Sequence, residues 1–207
     1  MPESSVIIGY SGHGLVVAEA AKLSGVNLKF YTDLEPKESN PYLLEYLGDE
    51  SNPEFAHWKK DYSFILGTGS NDVRWRCALK VLERGGELKN VIHPDAGVAS
   101  DFRMGVGNFI ARNVAINPGS AVGDFSILNT SCVIEHECMI GSAVHCAPGS
   151  VLLGNVRVGD GTFIGANAVV KQGTRIGKNV TIGAGTVVIR DIEDGTTVVG
   201  NPGNRIR

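Results

Sequence analysis

The histidine best suited to chemistry lies between two acidic residues, in the sequence Glu135-His136-Glu137. A carboxylate beside a histidine stabilises the imidazolium form, which makes the neutral ring a stronger base. Such a ring can take the proton of an amine or hydroxyl nucleophile. The pattern favours a general base at His136, with a merely solvated polar edge as the alternative.

His136 belongs to a repeat with a period of six residues. Every sixth residue from Ile92 to Val188 is apolar, and a second register, two residues earlier, is small or β-branched from Val114 to Thr186. A period of six matches neither a helix nor an alternating strand, and is the signature of a parallel β-helix. The repeat predicts coils with three sides of six residues, whose apolar residues point inward.

This coil geometry places other residues relative to His136. Gly154 follows it by eighteen residues, so Gly154 should lie one strand spacing away, about 4.8 Å along the stack. Its backbone N–H could then face an oxyanion that forms beside the base. His145 follows His136 by nine residues and points to another face. The two histidines could share a site only between subunits, as in a threefold assembly of triangular prisms.

The residues before the repeat follow the order of a nucleotide-binding domain. Strands are predicted at residues 6–8, 28–31, 62–66 and 88–92, and helices at residues 15–23 and 73–84. The turn Gly9-Tyr10-Ser11-Gly12-His13-Gly14 precedes the first helix, whose free N–H groups can bind a phosphate. Asp33 follows the second strand, where an acidic residue can accept from a ribose hydroxyl. The glycine spacing is not G-x-G-x-x-G, so a mononucleotide or nucleotide sugar is favoured over a dinucleotide, and a tight turn without a ligand is the remaining alternative.

Between these elements, residues 34–60 are polar and contain three prolines, which predicts a surface excursion with a helical turn at residues 42–47. A helix cap is expected at Ser70 or Asn71. We expect residues 1–91 to form a Rossmann-like domain of α/β class, and residues 92–207 to form the β-helix and a C-terminal tail.

Composition argues against several classes of protein. A net charge of −3 argues against nucleic-acid binding, which usually needs a basic surface. No stretch approaches the ~20 apolar residues that cross a bilayer, and no basic region typical of a signal peptide begins the chain, so no membrane partner is expected. The four cysteines form no C-x-x-C pair, which favours buried thiols and a cytoplasmic location. The H-x-x-x-x-H pair of β-helical carbonic anhydrases does not occur, and no metal site is expected.

Three motifs carry a resemblance to a known family. They are the glycine turn at residues 9–14, the segment Leu128-Asn129-Thr130-Ser131-Cys132-Val133-Ile134-Glu135-His136-Glu137-Cys138, and the closing Gly200-Asn201-Pro202-Gly203. Over essentially its whole length the chain resembles bacterial sugar acetyltransferases of the PglD/NeuD type, within the hexapeptide-repeat acyltransferases. The resemblance implies a left-handed parallel β-helix after the α/β Rossmann-like domain, a homotrimer, and acetyl-CoA bound between subunits.

The resemblance also implies roles for particular residues. His136 is the implied catalytic base, Glu137 the carboxylate that raises its basicity, and Gly154 the oxyanion donor. The implied contacts of the sugar nucleotide are Ser11, Gly12, His13, Asp33 and Gly69, and those of acetyl-CoA are His145, Ala166 and Ala184. Two departures from the family are the longer segment 34–60 and Gly203, where the superfamily usually has Ala; they leave the sugar and one CoA contact open.

The first hypothesis is an acetyl-CoA-dependent N-acetyltransferase that acts on a UDP-linked amino sugar in bacterial glycan biosynthesis. O-acetylation of sialic acid or a related sugar by the same residues is an alternative, because the sequence does not distinguish an amine from a hydroxyl acceptor. A catalytically silent scaffold that binds sugar nucleotides is another alternative. The intact set of His136, Glu137 and Gly154 argues against the scaffold.

Overall fold

A computed structural model describes residues 4–58 and 62–206 of the chain. Its first part alternates strands and helices: β1 (Ser4–Ile8), α1 (Gly12–Leu23), β2 (Leu28–Thr32), β3 (Glu45–Tyr46), β4 (Tyr62–Leu66), α2 (Asn71–Glu83) and β5 (Glu87–Leu88). The strands form one parallel sheet in the order β3-β2-β1-β4-β5. This arrangement confirms the Rossmann-like fold, since the chain first extends the sheet on one side of β1 and then returns to the other.

The central strands β1 and β4 are apolar runs that are buried along nearly their whole length. Such runs are typical of parallel strands covered on both faces. Both helices begin earlier than predicted, α1 at Gly12 and α2 at Asn71. Ser70 is the N-cap of α2, and its hydroxyl accepts a hydrogen bond from the Val73 N–H at 3.5 Å.

Two predictions about the elements are wrong. Residues 42–47 form no helical turn; Glu45 and Tyr46 instead pair with Phe30 and Tyr31 at the sheet edge. The Tyr46 ring packs against Tyr31, with ring centroids 5.2 Å apart, so this short strand depends on tertiary contacts. The strand predicted at residues 88–92 is two strands, because β5 joins the first sheet and the next strand, at residues 91–92, joins the coils.

The repeat forms three parallel sheets, one along each side of the coils. The first side holds β6 (Val91–Ile92), β9 (Phe109–Ile110), β12 (Ile127–Leu128), β15 (His145–Cys146), β18 (Phe163–Ile164), β21 (Thr181–Ile182), β23 (Thr197–Val199) and the antiparallel β24 (Asn204–Arg205). The second side holds β7 (Gly97–Val98), β10 (Ala115–Ile116), β13 (Val133–Ile134), β16 (Val151–Leu152), β19 (Val169–Val170) and β22 (Val187–Val188). The third side holds β8 (Arg103–Met104), β11 (Ala121–Val122), β14 (Met139–Ile140), β17 (Arg157–Val158) and β20 (Arg175–Ile176).

The period-six register points into the coils, as predicted, and the second register is buried as well. The period-six residues are buried from Ile110 to Val188, and the second register is buried from Val114 to Thr186. Residues eighteen apart pair directly in neighbouring coils, as Val133 does with Val151. Three of the free cysteines lie in these registers and are buried. A parallel β-helix is therefore confirmed.

Arg74, on α2, joins the two parts of the chain. Its side chain is almost completely buried, and burial lowers the pKa of its guanidinium to about 10. The guanidinium donates to the carbonyl oxygens of Phe125 at 2.5 Å, Ala143 at 3.1 Å and Gly69 at 3.0 Å. The Arg74 guanidinium thus donates to carbonyl oxygens of both the coils and the first domain. These hydrogen bonds hold α2 against the β-helix.

No helix within residues 4–58 and 62–206 is long and apolar enough to cross a bilayer.

Candidate active site

His136 lies at a corner of the coils, two residues after the end of β13, with half of its side chain exposed. Its Nδ1 atom lies 3.1 Å from Oε2 of Glu137. When Nδ1 carries the proton, it donates to the carboxylate and leaves the lone pair of Nε2 free. This geometry suits proton abstraction by Nε2.

The His136 ring lies against the backbone of Gly154 in the next coil. A Cβ atom built on Gly154 would lie 2.4 Å from Nε2 of His136, so only glycine leaves the imidazole in this position. The Gly154 N–H donates to no acceptor among residues 4–58 and 62–206. The structure therefore brings together the two residues that the eighteen-residue spacing places one coil apart, and leaves an N–H beside the base.

Glu137 adopts a backbone conformation that is unfavourable for glutamate. Its φ angle is +60°, in the left-handed region, whereas the equivalent corners of other coils carry Gly119, Asn155 and Gly173 there. Glycine and asparagine tolerate this region, and other residues are strained in it. Phe125, Ser131 and Ala143 share this conformation at other corners, so the contact with His136, rather than the backbone, distinguishes the glutamate.

The predicted acetyl-CoA contacts lie elsewhere on this chain. Ala166 and Ala184 occupy adjacent coils at the corner between the first and second sides, where the Gly185 N–H donates to the Ala166 carbonyl at 2.8 Å. His136 occupies the corner between the second and third sides. Within one chain the structure does not bring these residues together.

His145 lies on the first side, in β15, and is buried beneath the first domain. Its ring centroid lies 6.1 Å from that of His13 and 5.2 Å from that of Phe163. Burial, followed by the nearby Arg74 charge, lowers the pKa of each histidine to about 4. Both rings are therefore neutral at pH 7. The structure groups His145 with the predicted sugar-nucleotide contact His13 rather than with His136.

A cavity of about 490 Å³ opens beyond the carboxyl ends of β1 and β4. The strand order reverses between these two strands, and ligands of open α/β sheets bind at such a point. The lining residues are Gly9, Ser11, Asp33, Leu34, Glu50, Ser51, Thr68, Val73, Arg76, Cys77 and Lys80. Two of the predicted sugar-nucleotide contacts, Ser11 and Asp33, are among them.

The start of α1 can bind an anion at this cavity. Ser11 is its N-cap residue, but the Ser11 side chain makes no capping hydrogen bond, so the first N–H groups of the helix are not satisfied by it. A Cβ on Gly14 would lie 2.2 Å from the Gly9 carbonyl oxygen, so the turn can close only with glycine there. A Cβ on Gly12 would meet no atom within 4 Å, which leaves open space beside the helix start.

Asp33 already has protein partners on both carboxylate oxygens. Oδ2 accepts from the Tyr10 N–H at 2.9 Å, and Oδ1 accepts from the Leu34 N–H at 2.9 Å and pairs with Lys37 Nζ at 2.8 Å. The carboxylate therefore fixes the glycine turn, in addition to any contact with a ribose. Gly69, the remaining predicted contact, lies beside His13, since its Cβ would be 3.7 Å from the His13 Cβ.

The face of α2 that lines the cavity was not among the site residues predicted from the sequence. Val73, Arg76, Cys77 and Lys80 follow one another at helical spacing, so they share one face. Two cations at positions i and i+4 next to a glycine turn are a signal that could have identified this wall. The excursion contributes Glu50 and Ser51, for which no spacing rule exists.

Comparison with known proteins places the chain in a family. The model of the PglD N-terminal domain matches residues 5–81, and that of the bacterial transferase hexapeptide (six repeats) matches residues 131–172. The acetyltransferase domain of PglB from Neisseria gonorrhoeae FA1090, solved with acetyl coenzyme A, is 31% identical with a TM-score of 0.91, and all of both chains is covered. The chain belongs to the PglD-type hexapeptide-repeat acyltransferases.

Two relatives of this acyltransferase carry a more specific description. PerB from Caulobacter crescentus, solved with CoA and GDP-perosamine, is 32% identical with a TM-score of 0.92, over 100% of this chain and 99% of that one. GDP-perosamine N-acetyltransferase from Escherichia coli O157:H7 is 32% identical over 111 residues, which are 54% of this chain and 50% of that enzyme. This chain thus matches only half the length of the curated relative.

Within residues 4–58 and 62–206, no three His, Cys, Asp or Glu side chains are grouped so that they could hold a metal ion.

Proposed function

We propose that this acyltransferase transfers the acetyl group of acetyl-CoA to the amino group of a nucleotide-linked amino sugar. The observation that carries the proposal is the His136 ring, oriented by Glu137 and packed against the Gly154 backbone. Similarity over the full chain to proteins solved with acetyl coenzyme A and with GDP-perosamine supports the same substrates here.

The chemistry follows from the three residues. The sugar amine attacks the thioester carbonyl carbon while Nε2 of His136 takes one of its protons. The Gly154 N–H stabilises the resulting oxyanion. When the oxyanion collapses, the carbon–sulfur bond breaks, and the imidazolium returns its proton to the departing CoA thiolate. Glu137 stabilises the imidazolium between these two steps.

The nucleotide is proposed to occupy the cavity at β1 and β4, with its phosphates at the start of α1. A UDP-linked sugar was expected from the sequence, whereas the two relatives with a described substrate act on or bind GDP-perosamine. We therefore favour a GDP-linked amino sugar, with the UDP-linked sugar as the comparison. The same relatives favour an amine acceptor over a hydroxyl.

The site is proposed to be completed by neighbouring subunits of a homotrimer. Half of the His136 side chain is exposed, and the apolar side chains of Met139 and Leu153 are exposed near its corner. A partner that presents its Ala166–Ala184 corner would cover these side chains and supply the acetyl-CoA groove. The four free cysteines fit a reducing compartment, and the cytoplasm is the proposed location.

Coenzyme release tests the proposal. The purified chain is incubated with acetyl-CoA and either GDP- or UDP-linked amino sugars, or the matched sugars with a hydroxyl in place of the amine. Thiol release is expected with an amino sugar and not with its hydroxyl counterpart, and mass spectrometry should show the acetylated sugar. Release only with hydroxyl sugars would replace the proposal by O-acetylation. No release with any of them would contradict it.

A further inference from the structure

One carboxylate in the cavity wall has an oxygen atom without a hydrogen-bond partner among the described residues. Glu50 belongs to the excursion after β3, and its Oε2 atom is buried without a hydrogen-bond donor among residues 4–58 and 62–206. A buried carboxylate oxygen without a donor is costly, and such groups in native proteins usually have a functional reason. Glu50 also lines the cavity, so a ligand that reaches this carboxylate can supply the missing donor.

The main chain of Glu50 is held in place by a contact that does not involve its carboxylate. The ammonium of Lys80 donates to the Glu50 carbonyl oxygen and lies over the Trp58 ring, 5.6 Å from its centroid. These contacts attach the excursion to α2. The position of the Glu50 carboxylate therefore does not depend on an ion pair of its own with Lys80.

The same cavity exposes apolar side chains that a flat ring would cover. Leu34 is 75% exposed and Val73 is 37% exposed, although both are apolar and line the cavity. Ligand sites combine apolar walls with a few polar groups that fix orientation. The cavity thus combines apolar surface for a nucleobase with the Glu50 carboxylate as an acceptor for its edge.

The nucleobases differ in what they offer a carboxylate. Guanine presents two adjacent donors, N1–H and the N2 amino group, which match the two oxygens of a carboxylate. Uracil presents a single N3–H between two carbonyl oxygens, which a carboxylate repels. Resting on the proposed function, in which this cavity holds the nucleotide, we propose that Glu50 is the specificity-determining residue that selects guanine over uracil.

Direct binding of nucleoside diphosphates tests the assignment without the transfer reaction. Isothermal titration calorimetry is performed with GDP, IDP and UDP on the full-length wild-type chain, the isosteric variant Glu50→Gln and the control Glu54→Gln. IDP lacks only the N2 amino group of guanine. Glu54 is exposed on the same excursion and does not line the cavity.

The wild type is expected to bind GDP about ten- to 150-fold more tightly than UDP, with IDP in between, as for hydrogen bonds to a charged group. Glu50→Gln should weaken GDP by a factor in that range, close the gap between GDP and IDP, and leave UDP unchanged or tighter. Glu54→Gln should behave as the wild type. Equal affinities for GDP and UDP, or a preference that survives Glu50→Gln, would overturn the Glu50 assignment alone. Binding of no nucleotide by the wild type would overturn the proposed nucleotide cavity, and the Glu50 assignment with it.

Discussion

The absence of a Cβ atom at residue 154 allows the His136 imidazole to lie against the coil backbone. The imidazole occupies the space that any other side chain would need, with Nε2 2.4 Å from the ideal Cβ position. Gly154 also has no positive φ angle, so no backbone strain explains its glycine. The glycine is therefore explained by the histidine above it, and a single added methyl group tests that explanation.

Gly154→Ala is expected to lower kcat by about 10²-fold or more, because a misplacement of about 1 Å at a reacting centre has such an effect. His136→Ala should lower kcat by at least ~10²-fold, as expected for the loss of a general base. Steady-state kinetics, with the melting temperature measured in parallel, checks both variants.

The matched control is Gly97→Ala, which adds the same methyl group to a coil strand away from the site. Its Cβ would approach no atom closer than 3.9 Å, and it should retain wild-type kcat. A Gly154→Ala protein with more than a tenth of wild-type kcat would show that the His136 ring is not confined by this glycine.

Among the elements, α2 contacts two different parts of the molecule through two of its faces. The face with Val73, Arg76, Cys77 and Lys80 lines the nucleotide cavity, while Arg74 projects into the junction with the coils. Because Arg74 bonds to carbonyls on both sides, the helix fixes the distance between the nucleotide cavity and the β-helix. No carboxylate within the described part of the chain pairs with this buried charge, so the carbonyl contacts are what stabilise it.

Arg74→Met should destabilise the protein by at least about 2 kcal/mol, since it leaves the buried carbonyl oxygens of Phe125 and Ala143 without this donor. For a chain of this size the melting temperature should fall by about 4 °C or more. Arg84→Met, at the exposed end of the same helix, is the control and should melt within about 1 °C of the wild type. Equal melting temperatures for the two variants would mean that Arg74 does not hold the junction.

The sequence predicted contacts that repeat along the chain and missed those that depend on docking. The period of six gave the coils and their inward residues, and a spacing of eighteen placed Gly154 beside His136. It could not place His145 beside His13, because that contact arises only where the first domain covers the coils. The strand at Glu45–Tyr46 was missed for a similar reason, since two residues carry no pattern and their pairing is tertiary.

Across the whole molecule, the burial of His13 and His145 makes stability depend on pH. Burial lowers the pKa of both rings from 6.5 to about 4, so the folded state holds them neutral while the unfolded chain takes up protons below pH 6.5. Their contribution to stability is therefore complete above pH 6.5 and is lost as the pH falls through about 4.

His145→Gln should flatten this dependence, because one of the two histidines no longer differs in protonation between the states. Between pH 6.5 and 4, the free energy of unfolding should fall less for the variant than for the wild type. The difference between the two decreases is at most about 3 kcal/mol. Urea unfolding at a series of pH values measures the difference. Parallel stability curves for the two proteins would show that His145 is not held neutral in the fold.

The last prediction concerns a site that is shared between subunits of the proposed trimer. His136 and Ala184 lie at different corners of one chain, so a complete site would take the base from one subunit and the acetyl-CoA groove from its neighbour. His136→Ala and Ala184→Trp should each lose most of the activity when expressed alone. The two variants are then co-expressed with different tags. In every closed trimer that contains both variants, one interface pairs the intact His136 of one subunit with the intact Ala184 of its neighbour. Random mixing of the subunits should therefore restore about a quarter of the sites.

Light scattering should give a trimer mass for the wild type and for the mixed protein, and tandem purification through both tags isolates the mixed trimers for assay. Activity that stays absent in trimers shown to contain both variants would place the base and the groove in the same subunit. A monomeric mass in active wild-type protein would contradict the shared site altogether. Recovery of activity would support the shared site, because neither variant carries both intact residues. Only contact between different subunits can combine them.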